Sequence, residues 1–267
     1  MPPPSSPLPP RYEIRPLLPA HTPWANALIM HASLFASPVW SAIFTDPPSR
    51  TKMCYAMFKS ARYLMSHQIN SGLSLGIFDT QYNFTRPESA GTEGKLYWDL
   101  EDESADEKTL LEQMDFPLVS VALAYDSFEP FDAAEVKELL ELLPQLGVRN
   151  RALQARDKRD ARDWEATGPG QVMFRNGTAT KAGEGGKGFM KVLAKYMMRK
   201  AAEEGFRGIQ ILCLHDAVNH VWTHPPNPYR AEVVASFNCS SDEDEGIKQA
   251  FRGSDQEITK VYVTLKT

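Results

Sequence analysis

The chain has 267 residues, a length that corresponds to one or two domains. Its 29 basic and 34 acidic residues give a net charge of −5, so we expect no nucleic-acid partner. The longest apolar runs are far shorter than the roughly 20 residues of a membrane-spanning helix, and the N-terminus MPPPSSPLPP lacks a secretory signal. We therefore predict no membrane partner, a disordered leader over residues 1–10 and a cytoplasmic domain over 11–267.

The first half of the chain contains a regular succession of strand and helix patterns. Apolar alternation predicts strands over 12–17 and 73–79, and helical periodicity predicts helices over 21–35 and 50–68. The aromatic segment 94–100 is interpreted as a strand or an ordered loop, and the acidic segment 101–107 as a solvated loop. Residues 118–125 form the strongest strand pattern, and their nearly continuous apolarity predicts burial on both faces of a sheet.

The segment 127–169 is predicted to be a helical insertion. It contains one amphipathic helix that begins near Asp132 and ends at Pro144, with an apolar stripe at Val136, Leu139, Leu140 and Leu143. Charges of both signs alternate over residues 156–163, a pattern typical of an exposed surface with ion pairs.

The C-terminal part predicts a β-α-β unit. A strand over 171–178 is followed by a glycine-rich turn over 181–188, a helix over 189–204 and a strand over 209–214. A short helix over 216–222 and strands over 232–237 and 258–265 complete the chain.

The glycine-rich turn is the most informative motif. Gly183, Gly185, Gly186 and Gly188 precede a helix, where backbone N–H groups and the helix dipole favour a phosphate or pyrophosphate. A flexible surface turn remains the alternative from the loop alone. The loop lacks the Gly-Lys-Ser/Thr ending of a P-loop. It formally contains Gly-x-Gly-x-x-Gly, but it lies too late in the chain for a Rossmann domain.

The same loop, taken as Gly183-x-x-Gly186-x-Gly188, resembles the pyrophosphate loop of the GNAT superfamily of acyl-CoA-dependent N-acyltransferases. Residues 215–222 resemble the segment that follows the next strand in that superfamily, and RYEIRPLLP, GKLYWDL, GPGQVMFRN and DAVNHVW resemble a fungal branch of it. The resemblance implies a single-domain mixed α/β fold, with a mostly antiparallel sheet that is flanked by helices and splayed at the CoA site. It also implies transfer of an acetyl group from acetyl-CoA, or another acyl group from its acyl-CoA, to an amine by direct attack in a ternary complex.

The resemblance places the acyl-CoA site on one continuous segment and on the short helix after it. Gly183 stands where the motif has Arg or Gln, so Lys181 or Lys187 is needed to replace that contact. Trp222 stands where many members carry a tyrosine acid, and an indole N–H is a donor only. The expected cofactor-binding residues are Gly177, Thr178, Ala179, Thr180, Lys181, Gly183, Glu184, Gly185, Gly186, Lys187, Gly188, Phe189 and Trp222.

Candidates for proton transfer lie near the expected thiol and amine. His220 and His224 are candidates because imidazole is the side-chain type suited to proton transfer near neutral pH, and Tyr229 is a further possible acid. Asp126 or Asp216 could receive the amine proton, although turn and helix capping explain both equally well. Tyr97, Trp98 and Asp99 are candidates for the floor of an acceptor cavity, and an aromatic core is their other interpretation.

Other properties remain open. Three scattered cysteines without a zinc-type spacing predict neither disulfides nor a bound metal. The protein is expected to be a monomer or a homodimer. Two rival functions stand beside the acyltransferase: a degenerate, non-catalytic acyl-CoA-binding protein, and an interaction module that uses the insertion as its contact surface.

Overall fold

The structure, a computed structural model, describes residues 8–266, which contain nine strands and twelve α-helices. The strands are β1 (Tyr12–Pro16), β2 (Leu75–Asp79), β3 (Lys95–Leu96), β4 (Met114–Asp115), β5 (Leu118–Asp126), β6 (Val172–Thr180), β7 (Gly208–Cys213), β8 (Arg230–Asn238) and β9 (Glu257–Thr264). The helices are α1 (Thr22–His31), α2 (Trp40–Ile43), α3 (Pro47–Ser60), α4 (Arg62–Asn70), α5 (Pro87–Gly91), α6 (Glu107–Glu112), α7 (Lys137–Leu142), α8 (Pro144–Arg156), α9 (Ala161–Trp164), α10 (Phe189–Glu203), α11 (Asp216–Thr223) and α12 (Glu245–Ala250).

Seven of these strands form one sheet in the order β1-β2-β5-β6-β7-β9-β8. Every neighbouring pair is antiparallel except β6 and β7, which are parallel and are joined through α10. The mixed, mostly antiparallel fold class is therefore confirmed, and so is the β-α-β unit. The predicted burial of the strongest strand is also confirmed, because every residue of β5 from Leu118 to Tyr125 is buried.

The sheet separates two apolar cores. On one face α1, α3 and α8 contribute side chains such as Leu28, Tyr55 and Leu153. On the other face α10 and α11 contribute Leu193 and Trp222 among others. Burial of one such large apolar side chain stabilises the fold by about 1.5 to 3 kcal/mol, so both faces of the sheet carry a substantial part of the stability.

Several helix boundaries differ from the predictions. The single helix expected over 50–68 is two helices, because Ala61 leaves helical geometry at ψ 0° between α3 and α4. Pro144 does not end the helical part of the insertion. It occupies the first turn of α8, where a backbone N–H has no partner within the helix and proline is therefore tolerated. This 13-residue helix was not predicted. In the segment 94–100 only Lys95 and Leu96 form a strand, paired with β4.

The charged segment 156–163 is partly buried, which corrects the prediction of an exposed surface. Asp157 accepts hydrogen bonds from Arg159 Nη2 at 2.6 Å and forms an ion pair with Lys260 Nζ at 2.7 Å. The side chain of Asp157 is 7% exposed, because α8 and α9 lie against the sheet at this point. The neighbouring pair of Asp160 and Arg162 is exposed, as predicted.

The leader also differs in part. Residues 1–7 of the predicted disordered segment lie outside the described residues. Leu8, by contrast, is 7% exposed and belongs to the same apolar core as Tyr12, so order begins before residue 11.

Candidate functional site

The site is built around a gap between the two parallel strands. β6 and β7 pair only over Val172–Arg175 and Gly208–Ile211. Beyond these four residue pairs β6 continues along β5, whereas β7 continues along β9. The two strands therefore diverge and leave a wedge-shaped cleft, with its apex at Arg175 and Ile211.

A β-bulge in β6 produces the divergence. Ala122 of β5 is opposite Thr178, and Ala124 is opposite Arg175. An advance of three residues along β6 therefore matches an advance of two residues along β5. The extra residue lies at Asn176–Gly177 and bends the strand. A Cβ atom at Gly177 would come within 2.9 Å of Ile29 Cδ1, so glycine lets β6 pass close to the end of this side chain of α1.

The cleft has an open strand edge. Between Asn176 and Thr180 the edge of β6 that faces β7 is paired with no strand in the described part of the chain. An open edge carries backbone N–H and C=O groups that need partners. An extended molecule with amide groups, such as pantetheine, can pair with this edge as an additional strand.

The glycine-rich turn leads from this edge to the start of a long helix. Gly183, Gly186 and Gly188 have φ values of 83°, 77° and 74°, which non-glycine residues rarely adopt. Gly188 is the N-cap of the 15-residue α10 and offers no side chain to the free N–H groups of its first turn. The space beside all four glycines of the turn is open. The turn therefore fits a phosphate group.

The charged side chains of the turn are tied to the first strand. Glu184 Oε2 accepts hydrogen bonds from Tyr12 Oη at 3.0 Å and from Lys187 Nζ at 2.6 Å, and Lys187 Nζ also donates to Tyr12 Oη. These contacts hold Lys187 at the turn, where its side chain is 41% exposed. Of the two lysines considered as replacements for the missing Arg or Gln, Lys187 is thus available at the turn.

Lys181 is not available there. Its ammonium group donates to the Met114 carbonyl oxygen at 2.7 Å and lies over the rings of Tyr82 and Phe116. Burial lowers the pKa of Lys181 to about 8. Phe189, another predicted cofactor residue, is 2% exposed and packs edge-on against Tyr12, so its side chain belongs to the core.

The threonines of β6 are also used within the sheet. Thr178 Oγ1 donates to the Val121 carbonyl oxygen at 2.9 Å, and Thr180 Oγ1 lies 2.9 Å from Ser120 Oγ. Ala179 is buried between them. In this segment the backbone, rather than the side chains, is free to bind a ligand.

The apex contains a residue that the sequence analysis missed. Arg175 is only 5% exposed, and its guanidinium carbon lies 5.7 Å from the ring centre of Trp222, which is fully buried. Burial lowers the pKa of Arg175 to about 10, so it is still charged at neutral pH. A single arginine in an otherwise ordinary strand pattern gives no signal of such burial.

The predicted histidines do not lie at this apex. His220 is exposed on α11, two residues before Trp222 and therefore on the opposite side of the helix. His224 is also exposed, and its Nδ1 contacts the His220 carbonyl oxygen at 2.8 Å. Neither imidazole is within hydrogen-bond distance of Arg175 or Trp222 among the contacts of residues 8–266.

Tyr229 and Asp126 lie near the Val172–Gly208 end of the β6–β7 pairing, opposite the end at which the two strands diverge. Tyr229 directly precedes Arg230. Arg230 pairs with Thr264, and Thr264 pairs with Gly208 on its other side, so Arg230 and Gly208 lie at the same height in the sheet. Asp126 is level with Met173, and its carboxylate accepts from the N–H groups of Gly170 and Phe128 in a turn. Asp216 has a similar capping contact, from the N–H of Glu257. The structure thus does not bring the four predicted catalytic side chains together.

Of the two aromatic candidates for an acceptor cavity, Trp98 packs against the apolar core and Tyr97 does not. Trp98 Nε1 donates to the Leu110 carbonyl oxygen at 2.8 Å, and its ring packs on Tyr55 and Phe58. Tyr97 contacts Ser89 and Arg86 instead. A cavity of about 600 Å³ lies nearby between α1 and the α3–α4 pair, and the residues that line it belong to neither β6 nor β7.

Within residues 8–266 no group of three or more His, Cys, Asp or Glu side chains is arranged to hold a metal ion. No helix in the same range combines the length and the apolarity that crossing a bilayer would take.

The mixed, mostly antiparallel seven-stranded sheet with its flanking helices matches the fold of the GNAT acetyltransferases. Arylalkylamine N-acetyltransferase 2 from Aedes aegypti is similar at TM-score 0.57 and 11% identity, over 96% of this chain and 99% of its own. The C-terminal condensation domain of Ebony, solved in complex with beta-alanyl-dopamine, is similar at TM-score 0.53 and 12% identity, over 94% and 98%. Agmatine N-acetyltransferase is similar at TM-score 0.51 and 11% identity, over 95% and 98%. No protein-family model and no curated protein sequence matches the chain significantly.

Proposed function

We propose that the protein is an acyl-CoA-dependent N-acyltransferase that transfers an acetyl group from acetyl-CoA to a primary amine. The observation that carries this proposal is the continuous path from the cleft between β6 and β7, along the open edge of Asn176–Thr180, to the uncapped N-terminus of α10. An acyl-CoA has its thioester, pantetheine amides and pyrophosphate in the same order.

Each part of the path has its own task in this proposal. The glycine turn and the first turn of α10 bind the pyrophosphate, with Lys187 at their edge. The open edge of β6 pairs with the pantetheine, and the bulge at Gly177 presents backbone N–H groups to the thioester carbonyl. Binding in this way holds the thioester at the apex of the cleft.

The reaction then requires a neutral amine in the same cavity. Its nitrogen attacks the carbonyl carbon, the carbon–sulfur bond breaks, and the electron pair stays on the sulfur while the amine proton passes to water. Positioning of the two substrates supplies a large part of the rate, since it replaces a bimolecular encounter in water.

Calorimetric titration of acetyl-CoA and CoA into the full chain tests the proposal, followed by an assay of thiol release with a panel of amines. Arylalkylamines and agmatine belong in the panel because similar structures are named for them. The net charge of −5 favours cationic amines in general. Absence of binding by well-folded protein, with longer acyl-CoAs also failing, would contradict the proposal.

A second candidate function is acyl-CoA binding without turnover. It is favoured by Trp222, which occupies the place of the tyrosine acid and is fully buried, because an indole N–H cannot act as an acid at physiological pH. Tight binding of acetyl-CoA without thiol release for any amine in the panel would support this candidate over catalysis.

Removal of both exposed imidazoles is expected to leave the activity intact. In a double variant, His220→Gln and His224→Gln, the kcat/KM for acetyl-CoA should stay within roughly a factor of three of the wild-type value, as for ordinary surface substitutions. The reason is that both side chains face solvent, away from Trp222. Steady-state kinetics measures this, and a tenfold or larger loss in a folded double variant would restore a histidine to the mechanism.

A further inference from the structure

Arg175 is a buried cation without a counterion. Its Nη1 donates to the carbonyl oxygen of the adjacent Asn176 at 2.5 Å, and its Nε has no hydrogen-bond partner. Among the ion pairs of the described residues, none includes Arg175. The nearby Cys213 does not supply a negative charge, because burial raises the pKa of its thiol to about 12.

Such an arrangement has a high free-energy cost, which one carbonyl oxygen and the ring of Trp222 offset only in part. A buried charge is normally paired, and an apolar side chain of similar volume is often more stable even than a paired one. Arg159 shows the usual solution in this protein, since its guanidinium is held by Asp157. An arginine that is buried and left unpaired indicates a ligand that brings the negative charge.

The position of Arg175 narrows the chemistry of that ligand. It is the last residue of β6 that pairs with β7, so it lies where the cleft closes. Its guanidinium lies beside Trp222, whose Nε1 is also buried without a partner. Two neighbouring buried side chains at the apex therefore each have an N–H donor, Arg175 Nε and Trp222 Nε1, with no acceptor among the described residues.

We infer that Arg175 binds the sulfur of CoA as a thiolate and thereby stabilises the leaving group of the acyl transfer. This inference rests on the proposed function, which places the thioester at the same apex. When the carbon–sulfur bond breaks, its electron pair remains on sulfur, and the guanidinium balances the new charge without losing a proton. The thiolate takes up a proton from water after it leaves the site.

This role accounts for the substitution of tyrosine by tryptophan. With a permanent cation at the sulfur, the leaving group needs no proton during the reaction, because electrostatic stabilisation in a buried site replaces proton transfer. Arginine suits this task since it stays charged even when buried. The indole N–H of Trp222 is a second donor to the same sulfur.

The test compares CoA with desulfo-CoA, which lacks the sulfur, and it requires no amine acceptor. In the wild type, CoA binding should release a proton and strengthen with rising pH, whereas desulfo-CoA binding should not. A pKa of the bound thiol at least one unit below that of free CoA corresponds to an affinity gain of about tenfold for the thiolate. Calorimetry in buffers of different ionisation enthalpy, together with the ultraviolet absorbance of the thiolate, measures both quantities.

Two variants separate this role from a structural one. Arg175→Met should abolish the pH-dependent preference for CoA over desulfo-CoA, and Arg175→Lys should retain part of it. Arg175→Met should also have a higher Tm than the wild type, because it removes an unpaired buried charge. The control Arg159→Met, which breaks a buried ion pair, should have a lower Tm.

The outcomes are distinct. A wild type that binds CoA with no change in the thiol pKa, or an Arg175→Met variant that keeps the change, would overturn the inference and leave the proposed function standing. A preference for succinyl-CoA over acetyl-CoA that depends on Arg175 would show that the guanidinium binds the carboxylate of an acyl group. This result would also overturn the inference. Loss of folding in Arg175→Met would show a structural role. No binding of CoA by the folded wild type would overturn both proposals.

Discussion

Replacement of Gly188 by aspartate is expected to weaken the binding of CoA about 100-fold. The N-terminus of α10 would then carry a carboxylate where the proposed site holds a pyrophosphate. Like charges about 5 Å apart at a partly exposed site repel by roughly 1 to 3 kcal/mol, and each tenfold loss of affinity corresponds to about 1.4 kcal/mol. Calorimetric titration of CoA into both proteins measures the difference.

Stability should not fall in parallel with affinity. Gly188 has a φ of 74°, which costs an aspartate some strain, but Asp and Asn tolerate this conformation better than other residues. An aspartate at an N-cap also accepts a hydrogen bond from the first turn and interacts favourably with the helix dipole. The Tm of the variant is therefore expected to stay close to that of the wild type.

Two controls isolate the effect of the charge. Gly188→Asn has the same shape and backbone strain without the charge, and Gly72→Asp introduces the same residue at a φ of 75° far along the chain, beside open space. Both should bind CoA much more tightly than Gly188→Asp. Pantetheine, which lacks the pyrophosphate, should bind all four proteins equally. Equal CoA affinity of Gly188→Asp and the wild type would exclude the glycine turn as the pyrophosphate site.

Asp157→Ala is expected to destabilise the protein by about 3 to 5 kcal/mol, the range measured when one partner of a buried ion pair is removed. The variant would leave Arg159 and Lys260 close together, with side chains only 16% and 11% exposed. For a chain of this size that loss lowers the Tm by on the order of 10 °C. Urea denaturation followed by circular dichroism measures the change in the free energy of unfolding.

The neighbouring Asp160→Ala is the matched control. Asp160 pairs with Arg162 at the surface, where the two side chains are 45% and 88% exposed, and exposed pairs contribute about 1 kcal/mol or less. A similar loss of stability in both variants would contradict the assignment of Asp157 to a buried cluster.

The effect of Asp157 should depend on pH in a defined direction. Hydrogen bonds from Arg159, and the charge of Lys260, hold the pKa of the Asp157 carboxyl below its ordinary value. A carboxyl whose pKa is lowered by folding stabilises the folded state fully above its pKa in the unfolded chain, which is about 4. This stabilisation is lost as the pH falls below that value. The difference between wild type and Asp157→Ala should therefore shrink below pH 4.

Much of the sheet could be predicted from local pattern. Apolar periodicity and the placement of glycines predict β5, the strand and helix on either side of the glycine turn, and the final strands. The break between α3 and α4 could not, because Ala61 is itself a good helix former and the local sequence contains no helix-ending residue there. The second helix of the insertion was missed since Pro144 is compatible with both the end and the start of a helix.

The site was predicted less completely than the fold. Glycine is the residue that most readily adopts a positive φ, so the glycine-rich turn over 183–188 could be found from sequence. The burial of Arg175 and of the Asp157 cluster depends on which distant residues lie opposite them, such as Trp222 and Lys260. Nearness along the chain suggested His220 as a neighbour of Trp222, whereas the helix places the two side chains on opposite sides of α11.

The short pairing between β6 and β7 also has a mechanical consequence. Four residue pairs alone join the half-sheet of β1, β2, β5 and β6 to the half-sheet of β7, β9 and β8, so the two halves are held together along a short line. A ligand that pairs with Asn176–Thr180 would bridge the two halves. Slower hydrogen exchange of the amides on both sides of the junction, including Leu212 and Cys213, would then accompany binding, and the domain would unfold as a more cooperative unit.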